Sequence, residues 1–324
     1  IQSFDLDKIK TVYSVIKEIN QLSISMDGMK SGLNSFKKYL PINIVKDLIV
    51  HSVDAKVGGQ EKVVTIFFSD IANFTNISEE LGVRLFPHLE EYFENMADEL
   101  KDRNGTIDKY IGDAIMAFWN APADNPNHAA DACITAVRCQ QKLKRLRLQW
   151  KRDGKPLLHT RIGLNTGNTI VGNMGSDYKM DYTVLGDPVN LASRLEAINK
   201  VYGTNTIISD ATYELSKHDI ITRRLDIVAV KGKKEGVTIH ELLDTSDTSI
   251  EYEWIHAFED GLSYMQAGQL EKAIEYFKAV NTAKGSLDYP SELMIKRCED
   301  YIKNDNFRWV IRSEEHTSEL QSPM

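Results

Sequence analysis

Asp108-Lys109-Tyr110-Ile111-Gly112-Asp113-Ala114-Ile115-Met116-Ala117-Phe118 reads as a β-hairpin whose tip carries an acid. Two short apolar strands, Thr106–Ile111 and Ala114–Trp119, flank Gly112-Asp113, and Asn104-Gly105 marks a tight turn just before them. Upstream, residues 78–103 have helical periodicity, and residues 62–68 form a β-branched and aromatic run that predicts a buried strand. Downstream, residues 127–150 predict an amphipathic helix and residues 157–164 another strand. Strand, helix, hairpin, helix, strand is the split βαβ arrangement, so the fold class is α+β with a ferredoxin-like βαββαβ core. Further β and helical segments extend it to about residue 243.

In such a sheet the first strand and the hairpin are neighbours. Asp70, in Phe67-Phe68-Ser69-Asp70-Ile71-Ala72-Asn73-Phe74-Thr75, stands where that strand turns into a helix. By itself it is as good a helix cap as a metal ligand. Asp113 changes the balance, because the two acids converge although 43 positions separate them. Two carboxylates in one place repel each other unless a cation neutralises them, and a pair of Mg²⁺ or Mn²⁺ ions is the natural occupant. The turn through Phe74 and Thr75 adds backbone amides at a helix start, where phosphate oxygens bind.

A third segment runs Asp181-Tyr182-Thr183-Val184-Leu185-Gly186-Asp187-Pro188-Val189-Asn190-Leu191-Ala192-Ser193-Arg194-Leu195-Glu196. Pro188 fits the first turn of a helix with Asp187 as its N-cap. Asn190 and Arg194 then share one face. A neutral hydrogen bonder beside a guanidinium suits a ribose and a phosphate in transition; in isolation the same Arg reads as an exposed ion-pairing residue.

These three segments, with Val230-Lys231-Gly232-Lys233, resemble the catalytic signature of class III adenylate and guanylate cyclases. Four motifs occur in order, and the resemblance spans about residues 36–243. It implies a phosphorus-oxygen lyase that works as a head-to-tail homodimer with active sites shared across the interface. Asp70, Asp113 and the Ile71 carbonyl would hold two metal ions on one subunit. The other would supply Asn190 and Arg194 for ribose and transition state, Lys231 for the terminal phosphates, and Lys109 and Thr183 for the base.

Adenine offers an acceptor at N1 and a donor at its amino group, and guanine reverses both. Lys109 only donates, and a Thr183 hydroxyl can accept, so ATP is the expected substrate and cyclic AMP the product. Guanylate cyclases of the family generally carry Glu at the Lys109 position, whereas many adenylate cyclases have Asp where this chain has Thr183. Thr also donates, which loosens that half of the argument. A guanylate cyclase and a nucleotide-binding module without turnover are the other readings of the same residues. The Gly163 to Gly175 region has neither a Walker lysine nor GxGxxG and predicts a hairpin beside the site. His51, His88, His128 and His159 lack metal-ligand spacing.

The flanks predict further parts. Val12, Val15, Ile19, Leu22, Met26, Met29, Leu33, Phe36 and Leu40 step by 3 and 4 in alternation up to Pro41, the spacing of a coiled-coil seam. An amphipathic helix lying on its own domain is the alternative. By resemblance it is the end of a HAMP-like signalling helix below a membrane-bound sensor, with the cyclase in the cytoplasm. Residues 1–41 are therefore read as signalling helix, 42–61 as linker, 62–246 as catalytic domain and 250–311 as a TPR-like helical segment. In that last segment Gly261, Tyr264, Ala273 and Phe277 have tetratricopeptide spacing, in a helical hairpin that must pack on the catalytic domain or on a partner. Residues 312–324, RSEEHTSELQSPM, have no periodicity, resemble the translation of a sequencing adapter, and are left out of the fold. The chain begins with Ile1 rather than Met, so upstream residues, a membrane segment among them, are expected to be missing.

The 324 residues are 42% hydrophobic and 27% charged, with a net charge of −8 that argues against a broad nucleic-acid surface. Three cysteines without CxxC spacing argue against a disulfide framework and fit a reducing compartment.

Overall fold

The computed structural model describes residues 16–36, 56–176, 178–229, 236–304 and 312–313. Its centre is one nine-stranded sheet. β1 (Gly58–Ile71) lies between β3 (Ala114–Trp119) and β4 (Thr160–Ser176), antiparallel to both, and β2 (Thr106–Ile111) flanks β3. The order β2-β3-β1-β4 is the ferredoxin-like arrangement. Beyond β4 the sheet continues through β6 (Thr206–Ser209), β8 (Val237–Thr245) and β7 (Ile220–Ala229), while β5 (Lys179–Leu185) pairs with the far half of β4.

Because β1 is covered on both faces, it reads as a continuous apolar run rather than an alternating one. Phe67 and Ile71 pack with Tyr92, Leu100, Cys133 and Trp150 on one side, and Val64 and Ile66 pack with Phe118, Val184 and Ala192 on the other. The first side is covered by α3 (Leu85–Asp102) and α4 (His128–Arg152), the second by α5 (Asp187–Tyr202). Gly163 lets α5 lie directly on β4, since a Cβ there would sit 2.2 Å from the Glu196 amide nitrogen.

Several boundaries differ from the sequence reading. The helix predicted over 78–103 is broken: α2 (Phe74–Leu81) ends at Gly82, whose φ of 52° favours glycine, and a 3₁₀ turn at Gly82–Arg84 leads into α3. The glycine-rich region does shape a hairpin, but as its long first arm: β4 runs through it and turns into the antiparallel β5 only after Ser176. Gly172 is needed there because a Cβ would meet the Gly58 carbonyl oxygen at 2.1 Å. A short helix α6 (Asp210–Ser216) follows β6, with Ser209 as its side-chain N-cap.

The C-terminal part contains the expected helical hairpin, α7 (Trp254–Gln266) and α8 (Leu270–Lys284), and adds a third helix, α9 (Tyr289–Asn304). Gly261 makes room for the Phe277 ring, the contact that the repeat spacing encodes. The unit packs on the sheet and on α5: Leu191, Leu195, Ile198 and Tyr202 share a core with Trp254, Phe258 and Phe277. Arg223 of β7, 1% exposed, lies between the Trp254 and Phe258 rings and pairs with Glu241 and Asp288. The Arg223 and Lys284 cations hold the Asp288 carboxyl far below the usual carboxylate range against the cost of its burial. Asp226 accepts from both Tyr202 and Arg297, at 2.7 Å each, and so ties α9 to α5. Phe258→Ala should therefore cost about 3–5 kcal/mol in urea denaturation, the usual range for emptying a buried Phe site; a loss under about 1 kcal/mol would mean the unit is only loosely attached.

In α1 (Lys17–Phe36) the seam residues Ile19, Leu22, Met26 and Met29 are 43%, 62%, 36% and 50% exposed, so these four do not bury themselves on the described residues. Val12, Val15 and Leu40 lie outside the described residues. Arg312-Ser313, left out on sequence grounds, pair with Val228-Ala229 as a two-residue strand, β9.

Candidate active site

Asp70 is the penultimate residue of β1, and Asp113 sits beside Gly112 in the β2–β3 turn, where Gly112 has φ of 65°. The two meet as the sheet order requires: Asp113 Oδ2 accepts from the Ile71 amide at 3.0 Å. Asp70 is not a helix cap, since α2 is preceded by Asn73 in the left-handed region and has no side-chain cap. Phe74 and Thr75 are the first residues of α2, next to the two acids, in the turn where amides lack intrahelical acceptors.

Two residues without a role in the sequence reading complete this cluster. Arg161 of β4, opposite Asp70 in the sheet, forks between Asp70 Oδ2 at 2.9 Å and Glu196 Oε1 of α5 at 3.0 Å. Its signal in the sequence is a lone guanidinium in an apolar strand. Burial pushes the Asp113 carboxyl up to about 6, with the neighbouring Asp70 adding to the rise. Burial likewise lifts Glu196 to about 7; Arg161 opposes this, and Asp70 and Asp113 add to it.

These shifts have a measurable sign. Both folded values lie above the ordinary 3.8 and 4.5, so in that window the folded chain holds more protons than the unfolded one. Their contribution to stability is complete at low pH and is lost as pH rises through the folded values. In chelator, Tm should carry a falling component between about pH 4 and about pH 7, and Asp113→Asn or Glu196→Gln should flatten it. Profiles parallel to the parent's would contradict the assignment.

A second cluster joins β2 and β5. Thr183, buried, donates a short hydrogen bond to Asp108 Oδ2, and Lys109 Nζ lies 3.4 Å from Asp108 Oδ1. Burial raises the Asp108 carboxyl, while Thr183 and Lys109 draw it back. The structure thus brings Lys109 and Thr183 together around an acid that the sequence reading quoted without assigning.

Asn190 and Arg194 form a third group, one turn apart on α5, with Asn190 exposed and Arg194 half-buried. The N-cap of α5 is Gly186, at φ of 137°, not Asp187; Pro188 is the second helical residue. Lys231 lies outside the described residues. His88 bonds the Pro156 carbonyl and His128 bonds Thr65, both as buried structural groups. Among the described residues no group of three or more His, Cys, Asp or Glu is placed to hold a metal ion, and no helix is long and apolar enough to cross a membrane. Two carboxylates and a carbonyl still suit Mg²⁺, which takes one or two carboxylates and completes its shell with water and substrate phosphates.

One acid near the end of β1 and one in the neighbouring β2–β3 turn thus lie together at one edge of an α+β sheet. The family model described as "Adenylate and Guanylate cyclase catalytic domain" matches residues 58–243, and the chain belongs to that family. It is similar to adenylate cyclase 1 of Rhizobium meliloti, 32% identical over 244 residues, which are 75% of this chain and 37% of that protein. The chain spans between 12% and 48% of the length of the first curated relatives it matches. Among solved structures it is similar to the adenylyl cyclase CyaB from P. aeruginosa, with 39% identity, a TM-score of 0.54, and coverage of 59% of this chain and 98% of that one. It is also similar to the guanylyl cyclase Cya2, with 33% identity, a TM-score of 0.55, and coverage of 60% and 98%.

Proposed function

We propose that this chain is an adenylate cyclase that converts ATP to 3′,5′-cyclic AMP and pyrophosphate at sites shared between two head-to-tail copies. The meeting of Asp70 and Asp113 at the Ile71 amide carries this reading, because two acids so placed call for cations. Two Mg²⁺ or Mn²⁺ ions held by Asp70, Asp113 and the Ile71 carbonyl would activate the 3′-hydroxyl and neutralise the leaving phosphates. The 3′-oxygen bonds to the α-phosphorus, the bond to the β-phosphate oxygen breaks, and the hydroxyl proton leaves to solvent. Amides at Phe74 and Thr75 bind phosphate oxygens on the same subunit.

From the other subunit Asn190 orients the ribose, Arg194 meets charge on the α-phosphate, Lys231 meets the terminal phosphates, and Lys109 and Thr183 read the base. Residues 62–246 are the catalytic domain, 250–311 a helical unit, 42–61 a linker and 1–41 a signalling helix, whose exposed seam supports pairing with a second copy. An upstream sensor, anchored in a membrane, would act through that helix on a catalytic domain in the cytoplasm. The closing stretch, residues 312–324, is proposed to be adapter-derived.

The test is a cyclic-nucleotide assay of the full chain with ATP and GTP, each with Mg²⁺ and Mn²⁺. Cyclic AMP from ATP is expected. Preference for GTP would make it a guanylate cyclase, and nucleotide binding without turnover a silent module. The base-reading roles add a prediction: Lys109→Glu with Thr183→Cys places an acceptor where guanine has donors and should shift preference toward GTP. An unchanged ATP/GTP ratio in an active variant would contradict those roles.

A further inference from the structure

A threonine hydroxyl has one proton and two lone pairs, so it can accept from the adenine amino group or donate to a 6-oxo group. On its own Thr183 discriminates poorly. In the structure, however, its proton is engaged: Thr183 Oγ1 donates to Asp108 Oδ2. An ionised carboxylate only accepts, so the hydroxyl turns lone pairs, not a proton, toward a ligand.

Asp108 reaches that position through an irregularity in the hairpin. The β2–β3 register passes from Ile107↔Ala117 directly to Lys109↔Met116, leaving Asp108 as the extra residue of a β-bulge. Such bulges break the alternation of a strand and re-aim side chains. Here consecutive residues act together, with Lys109 Nζ 3.4 Å from Asp108 Oδ1. The carboxylate is 1% exposed, and Oδ1 has no hydrogen-bond partner among the described residues. Apart from the Lys109 ammonium and the Thr183 hydroxyl nothing offsets the burial of this charge, a cost in stability that calls for a reason beyond packing.

We propose that Asp108 is a specificity-determining positioning residue: it fixes Thr183 as an acceptor and holds Lys109 beside it as a donor, a pair that matches N1 and the amino group of adenine and mismatches any 6-oxopurine. This deepens the adenine reading above and rests on it. It also accounts for how a Thr, chemically ambiguous, can serve where an acceptor is required.

The experiment compares kcat/KM for ATP and inosine triphosphate, which presents N1–H and a 6-oxo group but lacks the 2-amino group of guanine. Full-length wild type is expected to prefer ATP. Asp108→Ala should lower the ATP/ITP ratio by at least about tenfold, chiefly through KM, because Thr183 regains its proton for the 6-oxo group. Asp108→Asn, similar in shape but no longer acceptor-only, should lower it in the same direction by less. In a Thr183→Val background, which has no hydroxyl to orient, removing Asp108 should lower the ratio much less. For variants of low turnover the same ratio is read as displacement of a fluorescent ATP analogue by ATP and by ITP. Unchanged ratios in both Asp108 variants, or an equal fall with and without the Thr183 hydroxyl, would overturn the proposal. Wild type that favours ITP, or turns over neither, would instead overturn the adenine reading.

Discussion

Asp70→Ala and Asp113→Ala are each expected to reduce cyclic-nucleotide formation by at least about 100-fold while the protein stays folded. The two side chains sit at the rim of the sheet rather than in its core, and Asp70 is about a third exposed, 34% for its side chain. Losing Asp70 leaves Arg161 paired with Glu196. Losing Asp113 frees the Ile71 amide but removes a carboxylate that burial and Asp70 already disfavour, so the two effects on stability oppose each other. Far-UV circular dichroism and Tm should stay near those of wild type. Activity above a few per cent in either variant would sink the two-metal assignment, whatever the base preference.

How much of this was legible in the sequence depends on how local each feature is. The β2–β3 hairpin, β1 and α5 were readable because apolar runs and turn residues announce them, and the acid at each strand end follows from the topology. Asp108 was not, because its partner Thr183 is 75 positions away and the bulge that aims it leaves no trace in the alternation of β2. The same holds for Arg161 and Glu196, which come together only once α5 lies on β4 over Gly163. Asp187 looked like the cap of α5 because Pro188 follows it, yet the chain turns one residue earlier at Gly186. The third C-terminal helix escaped notice since its anchor, the buried Asp288 under Arg223, is a tertiary contact. Features set by period and turn chemistry survive translation from the sequence; features set by pairs across elements do not.

The remaining claim joins those parts. In the proposed dimer the metal acids of one copy work with Asn190 and Arg194 of the other, so each chain carries half of two sites. Arg194→Ala should lose activity about as severely as Asp70→Ala, because charge on the α-phosphate is no longer met by a fixed donor. In an Asp70→Ala chain the α5 residues are intact, and in an Arg194→Ala chain the acids are intact. Equal mixing by unfolding and refolding gives about half mixed dimers with one whole site in each, which is about a quarter of wild-type specific activity. The direct measurement is therefore cyclic AMP formation by such a mixture, with mixed dimers verified by two affinity tags. Recovery toward a quarter of wild type is predicted; a mixture that stays as inactive as either variant alone, although mixed dimers are present, would contradict the shared site.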